Sequence, residues 1–197
     1  MKIELLTLGI YQANCYVVSE GENCFIVDPG ERADKIKEFL QENHLTPRFI
    51  LLTHGHLDHV GAVDELMDDY MIETYMSPLD KRSIDKGVLI FGKVFHDTTP
   101  VEDGDEIVFQ DKIIKVIATP GHTLGGLCFL VDNHLFSGDT LFRSSVGRTD
   151  LEGGSHESLV LCIKTKLMSL PEATIVYPGH NAATTIGAEK INNPFLG

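Results

Sequence analysis

The segment Thr53-His54-Gly55-His56-Leu57-Asp58-His59 constrains this chain more than any other. It sets four potential metal ligands within six residues, directly after the apolar run at 49–53. A hydrophobic core cannot accept such a cluster, because burying that many polar side chains without partners costs several kcal/mol. Neutral imidazoles and carboxylates are instead the borderline donors that divalent zinc or iron accepts. The fold must therefore end a buried strand in a loop that is either solvated or organised around metal.

Three further candidate ligands stand in glycine turns: Pro120-Gly121-His122, Gly138-Asp139 and Pro178-Gly179-His180. Each follows a β-rich segment, so all three can converge on one sheet edge. A glycine beside each ligand permits the close backbone approach that a crowded metal cleft requires. The other histidines, His44, His96, His134 and His156, stand at helix ends, in a weakly patterned stretch or in a turn, and read as surface or capping residues.

The rest of the chain supplies a scaffold for such loops. Strand-length apolar runs at 3–8, 15–19 and 24–28, separated by turn residues, read as a β-meander. Residues 34–43 place Ile36, Phe39 and Leu40 at helical spacing, 49–53 is a buried strand, and 62–70 is a second helical pattern. Residues 77–100 read as helix plus irregular loop. Short strands follow at 106–110, Lys112–Ala118, Leu127–Val131, 134–137 and 173–177, with a helix at 155–170. Strands early and late with helices between them predict an α+β (α/β) fold of two stacked sheets with helices outside, and the chemistry on loops at one end of the strands. A length of 197 residues accommodates this as one domain, 1–197.

Composition narrows the partners. Only 16 basic residues face 29 acidic ones, a net charge of −13, which argues against a nucleic-acid partner but not against a small anionic substrate. The N-terminus lacks a signal-peptide pattern, and no stretch approaches the roughly 18 apolar residues needed to span a bilayer, so a cytoplasmic protein free of membrane attachment is expected. Cys15, Cys24, Cys128 and Cys162 are scattered in apolar company and read as reduced, buried thiols.

The motif H-x-H-x-D-H, matched by His54, His56, Asp58 and His59, and the further positions His122, Asp139 and His180 together resemble the metallo-β-lactamase superfamily over nearly the whole chain. The resemblance implies a four-layer αββα sandwich. It also implies that His54, His56 and His122 hold one metal, that Asp58, His59 and His180 hold the other, and that Asp139 bridges them. Zinc is the expected metal, with iron or manganese as alternatives. Asp28, at the end of a buried strand, reads either as a carboxylate orienting a ligand histidine or as a turn-forming aspartate. Two such ions lower the pKa of a shared water to about 7 and polarise a substrate carbonyl, giving metal-assisted hydrolysis with Asp58 or bound water as the proton carrier. No G-x-S-x-G arrangement or phosphate-cradling glycine loop competes with this reading.

The segment Gly138-Asp139-Thr140-Leu141-Phe142, with Gly147-Arg148 and the tail Asn193-Pro194-Phe195-Leu196, is similar to the glyoxalase II group. That likeness implies a thioesterase of hydroxyacylglutathione hydrolase type, with Arg143 contacting substrate carboxylates and Arg148 tying loops together. The longer glyoxalase II enzymes carry a C-terminal helical domain, so this chain looks like the shorter, single-domain hydrolases of that kind, acting on S-acylglutathione or a different acyl thioester. A mono-iron persulfide dioxygenase is the nearest rival, using His54, His122 and Asp139 and sharing Gly147-Arg148-Thr149-Asp150. A β-lactamase fits less well because the expected cysteine ligand after the third histidine is absent. A metal-binding module without hydrolase activity is the alternative from another class. Monomer and homodimer are left open.

Overall fold

Strands β1 (Lys2–Leu8), β2 (Ala13–Glu20) and β3 (Asn23–Val27) form the expected antiparallel meander. All but the last residue of β2 is buried, as suits a strand covered on both faces. Helix α1 (Ala33–Glu42) then carries the chain back, so that β4 (Thr46–Leu51) adds parallel to β3. The short helix α2 (Leu57–Val60) and helix α3 (Val63–Tyr70) precede β5 (Glu73–Met76), and α4 (Pro78–Asp85) precedes the two-residue β6 (Thr99–Pro100). These strands make one six-stranded sheet in sequence order. The computed structural model describes residues 1–197, which divide into two compact units, Met1–Pro100 and Val101–Gly197.

Register decides where the first unit's loops emerge. Val27 pairs with Leu51, and Leu51 with Tyr75, along three parallel strands. The segments that follow β3, β4 and β5 therefore leave the same sheet edge, and they carry Asp28, His54 to His59, and Ser77 to Asp80. Beneath them Val17, Ile26, Ile36, Leu40, Ile50 and Leu66 form a core with essentially no exposure. Each such side chain contributes about 1.5–3 kcal/mol relative to leaving it in water.

The second unit repeats the device. Strands β7 (Glu106–Phe109), β8 (Lys112–Ala118), β9 (Leu127–Val131) and β10 (His134–Gly138) run antiparallel, and β13 (Ile175–Pro178) adds parallel to β10 before the edge strand β14 (Thr184–Thr185). Between β10 and β13 lie a hairpin, β11 (Leu141–Phe142) and β12 (Ser145–Val146), and helix α5 (His156–Cys162). Because β8, β10 and β13 run in one direction, the turns bearing His122, Asp139 and His180 leave one edge. The chain closes with α6 (Ile186–Asn192), capped by the Thr185 hydroxyl. Leu135, Leu159, Ile163, Leu167, Val176 and Ile186 fill this unit's core.

The helix expected across 155–170 is not uniform. After Cys162 it widens into a π turn, Ile163–Leu167, closed by Met168 N–H donating to Ile163 O, while Lys166 reaches Ala118 O at 2.8 Å and Asp103 at 2.9 Å. Cys15, Cys24 and Cys128 are buried free thiols, and Cys162 is a half-buried one. No helix is long and apolar enough to cross a membrane.

Residues 77–100, weakly patterned in sequence, are held at two places. One end rests on the histidine-rich segment described below. The other is tied to α3, where Asp64 accepts from the Phe95 and His96 amides and from His96 Nδ1 at 2.8 Å, while His96 Nε2 meets Asp68 at 2.8 Å. The Asp64 hydrogen bond, reinforced by Asp68, raises the imidazole above its ordinary pKa. Partial burial pushes the Asp64 carboxyl up, but the donors from Phe95 and His96 outweigh it and hold it below the usual range. A histidine whose folded pKa is raised contributes fully below its unfolded pKa of about 6.5, and that contribution is lost as pH rises through the folded value. His96→Gln should therefore lower the urea midpoint more at about pH 5.5 than at about pH 8.5. An equal effect at both pH values would contradict the ion-pair assignment.

Candidate metal centre

Asp28 occupies the left-handed region, with φ of 50°, immediately after β3, its amide donating to Leu51 O at 3.0 Å. Non-glycine residues sit there rarely, and aspartate is among the more tolerant. The bend turns the carboxylate, 1 % exposed, onto the segment that follows β4. Its Oδ1 accepts from the Thr53 amide at 2.8 Å, and its Oδ2 accepts from the Thr53 hydroxyl at 2.6 Å and from His59 Nδ1 at 3.0 Å.

These bonds settle the imidazole tautomers. Thr53 spends its only hydroxyl proton on Asp28, so at 3.1 Å from His54 Nδ1 its oxygen accepts. His54 and His59 thus carry their protons on Nδ1 and present lone pairs at Nε2, the form in which a neutral histidine binds metal. The rings pack together, His54 lying 4.1 Å from His59 and 4.7 Å from His56 between centroids, with every Nε2 buried. Phe91 stacks edge-on against His56 at 5.0 Å. Asp58, on the first turn of α2, brings Oδ2 to 3.8 Å from His59 Nε2.

In the second unit His122 Nδ1 donates to the carbonyl of Arg148 at 2.8 Å. A carbonyl can only accept, so this ring too presents a lone pair at Nε2. Asp139 Oδ2 lies 3.5 Å from His122 Nε2 and 3.8 Å from His180 Nε2. The β11–β12 hairpin organises all three residues. Asp139 precedes it, Arg148 follows it, and Phe142 within it lies 6.5 Å from the His180 ring. Its tip is held from α6: the fully buried Glu189 accepts from Ser144 N–H at 2.8 Å, from the Thr184 hydroxyl and from Asn193, whose amide also reaches Ser145 O.

The donor set fits a divalent ion. The carboxylate–imidazole distances of 3.5 to 3.8 Å are longer than a good hydrogen bond. They approach the roughly 3.4 Å that separates two ligands of one tetrahedral ion at a bond length near 2.1 Å. Nitrogen and carboxylate oxygen together suit zinc or iron better than calcium or magnesium.

Four of the seven expected ligands, His54, His56, Asp58 and His59, are thus gathered in the first unit, together with Asp28. The other three, His122, Asp139 and His180, are gathered in the second. Arg143 stands exposed at the hairpin tip. The Arg148 side chain, read as a tie between loops, is 61 % exposed and pairs only two residues away with Asp150, at 2.8 Å. It is the Arg148 carbonyl that positions His122, and no side-chain pattern could have announced that. Sequence reasoning also missed Thr53 and Glu189. Each offered a signal: a hydroxyl between a buried strand and a ligand, and an acid in the first turn of a helix capped by Thr185. Elsewhere, His134 lies 3.1 Å from the Tyr177 hydroxyl, and His156 opens α5 with its ring against Phe195.

Residues 8–180 match the family described as the metallo-beta-lactamase superfamily. The chain is 41 % identical to a protein of Mycobacterium leprae over 95 % of each chain. It is 35 % identical to the hydroxyacylglutathione hydrolase GloC of Haemophilus influenzae, over 100 % of this chain and 98 % of that one. Among solved structures, BLEG-1 B3 metallo-beta-lactamase aligns with TM-score 0.89 at 36 % identity over 99 % of both chains. TTHA1623 in a di-iron-bound form aligns with TM-score 0.87 at 39 % identity, over 98 % of this chain and 100 % of that one. ETHE1 from Myxococcus xanthus aligns with TM-score 0.83 at 28 % identity, over 98 % and 84 %.

Close backbone packing beneath Asp139 makes a local test. A Cβ on Gly147 would fall 1.7 Å from Asp139 O and 3.4 Å from His122 Cβ. Gly147→Ala must push these backbones apart, and should destabilise the protein by about 2–3 kcal/mol and reduce its uptake of added divalent metal. Unchanged thermal unfolding and full metal uptake would contradict this packing.

Proposed function

We propose that this chain, which belongs to the metallo-β-lactamase superfamily and has its fold, is a dinuclear metal-dependent thioesterase of glyoxalase II type, cleaving S-acylglutathione or a related acyl thioester. The observation that carries the reading is the fixed tautomer of three histidines, each holding its Nδ1 proton on an oxygen acceptor and offering Nε2. Such an arrangement suits metal ligation, because it leaves the proton off the nitrogen that faces the cluster. In this reading His54, His56 and His122 hold one ion, Asp58, His59 and His180 the other, and Asp139 both. Zinc is the proposed metal; the likeness to a di-iron-bound structure supports iron as the alternative. When bound, two divalent ions bring the pKa of a shared water toward neutrality and polarise the substrate carbonyl.

The chain's own residues do the rest. Asp28 fixes His59 directly and His54 through Thr53. Asp58, whose side chain is 17 % exposed, can exchange a proton with water, taking one as the carbon–oxygen bond forms and giving one to sulfur as the carbon–sulfur bond breaks. Arg143, exposed on a hairpin anchored by Glu189, supplies a guanidinium for a substrate carboxylate. The likeness to GloC supports the thioester assignment.

A second reading, persulfide oxidation at one iron held by His54, His122 and Asp139, is favoured by Gly147-Arg148-Thr149-Asp150 and by the likeness to ETHE1 from Myxococcus xanthus. Protein loaded with zinc or with ferrous iron should hydrolyse S-lactoylglutathione at a rate abolished by chelator. No turnover with either metal sinks the thioester reading; oxygen uptake with glutathione persulfide would then support the second, and nitrocefin turnover a β-lactamase. Arg143→Ala should raise KM about tenfold while kcat stays within about threefold, as expected for a residue that contributes uniform binding. A fall in kcat at unchanged KM would remove Arg143 from the substrate site.

A further inference from the structure

The Gly55 peptide, which joins His54 to His56, is held at every polar atom by residues 77–100. Its N–H donates to Asp80 Oδ2 at 2.9 Å, and its carbonyl accepts from Gly92 N–H at 3.0 Å. The Leu57 amide donates to Ile90 O at 3.1 Å, which pairs His56 with Phe91 in a β-bridge. Two of these hydrogen bonds, which together make the His56–Phe91 bridge, come from backbone that many sequences could supply. The third acceptor is a carboxylate with no exposure.

A fully buried carboxylate is costly to keep, and a position needing only bulk would carry an apolar side chain. The placement of Asp80 is local in origin. The Ser77 hydroxyl caps α4 by accepting from Leu79 N–H, and Pro78 opens the helix, which sets Asp80 in the first turn. Ile84, four residues on and on the same helical face, packs its Cδ1 3.2 Å from where a Gly55 Cβ would stand. One face of α4 thus supplies both the acceptor for the Gly55 amide and the wall against its Cα.

We propose that Asp80 is a positioning residue for metal binding: by fixing the Gly55 peptide it sets the spacing and orientation of the His54 and His56 imidazoles, and its buried charge favours the cation they hold. The inference rests on the dinuclear reading above. It assigns a role to a helix outside the ligand set, and gives residues 77–100 the task of shaping the ligand loop.

Metal-free wild type, the near-isosteric Asp80→Asn and the bulkier, apolar Asp80→Leu would be titrated with zinc against a chromophoric chelator and with cobalt(II) followed by visible absorption. Two ions bound by wild type sustain the underlying reading, and none would overturn that reading independently of the variants. Asp80→Leu, which leaves the Gly55 amide without its acceptor, should weaken one of the two ions about 10- to 100-fold and alter one cobalt band set, as loss of a ligand-orienting partner does. Asp80→Asn keeps a carbonyl acceptor and should recover most of that loss while remaining weaker than wild type. Wild-type affinity and spectrum in folded Asp80→Leu would overturn the proposal. So would equal weakening of both ions together with a lowered midpoint of the metal-free protein, the mark of a merely structural role. Should Asp80→Leu not fold, wild-type affinity in Asp80→Asn overturns it and weakened affinity at one ion sustains it.

Discussion

The carboxylate of Asp28 is the interaction on which the first unit's chemistry depends. One buried group takes the Thr53 amide, the Thr53 hydroxyl and the His59 ring, and through the hydroxyl it dictates the His54 proton. Removing it would leave three donors facing an apolar strand end, each costing about 1–3 kcal/mol when buried and unmet. It would also release two rings to take the other tautomer, with a proton on the nitrogen meant for metal. The cost of a left-handed aspartate at φ 50° is modest beside that, of order 1 kcal/mol or somewhat more.

The two units reach the same end by different chemistry. In the first, a side-chain carboxylate fixes the imidazoles; in the second, the backbone carbonyl of Arg148 does so for His122. In both, a glycine lies flat against the carbonyl of a candidate-ligand aspartate. A Cβ on Gly30 would come within 1.7 Å of Asp58 O, and one on Gly147 equally close to Asp139 O. Only glycine lets the neighbouring chain pass at that distance, so the aspartate backbones cannot drift and the carboxylates start from fixed points.

How much of this could be read from sequence follows from what pattern encodes. Apolar runs bounded by turn residues mark the meander and most of the second sheet, and helical spacing marks α1 and α3, because burial imposes those patterns. The candidate ligands stand out because four chelating groups in six residues have few other physical uses, and within each unit parallel strands with glycine turns bring their loops to one sheet edge. The hairpin at 141–146 and the π turn at 163–167 were not legible. Two-residue strands carry no period, and a π turn differs from α only in which carbonyl accepts. Arg148 was read through its side chain when its carbonyl does the positioning, since sequence shows side chains and not where backbone oxygens point. Asp80 was passed over for a related reason: an acid in a first helical turn is ordinary, and only its burial against Gly55 distinguishes it.

Before any ion binds, the site already has its protons placed and its carboxylates 3.5 to 3.8 Å from imidazole nitrogens, too far for strong hydrogen bonds. Stabilising contacts lie one layer out from these groups, at Asp28, Thr53, Asp80, Arg148 O and Glu189. Preorganisation of this kind moves the cost of arranging ligands from the binding step to the folding step, where the cores of Ile26, Ile50, Leu135 and Val176 offset it. The binding energy of the ions then appears as added stability by mass action, because the unfolded chain holds no such arrangement. A carboxylate buried one layer from the metal is tolerable for the same reason. Its desolvation is met by fixed backbone donors in the folded chain, and its charge becomes favourable once cations occupy the histidines it helps to place.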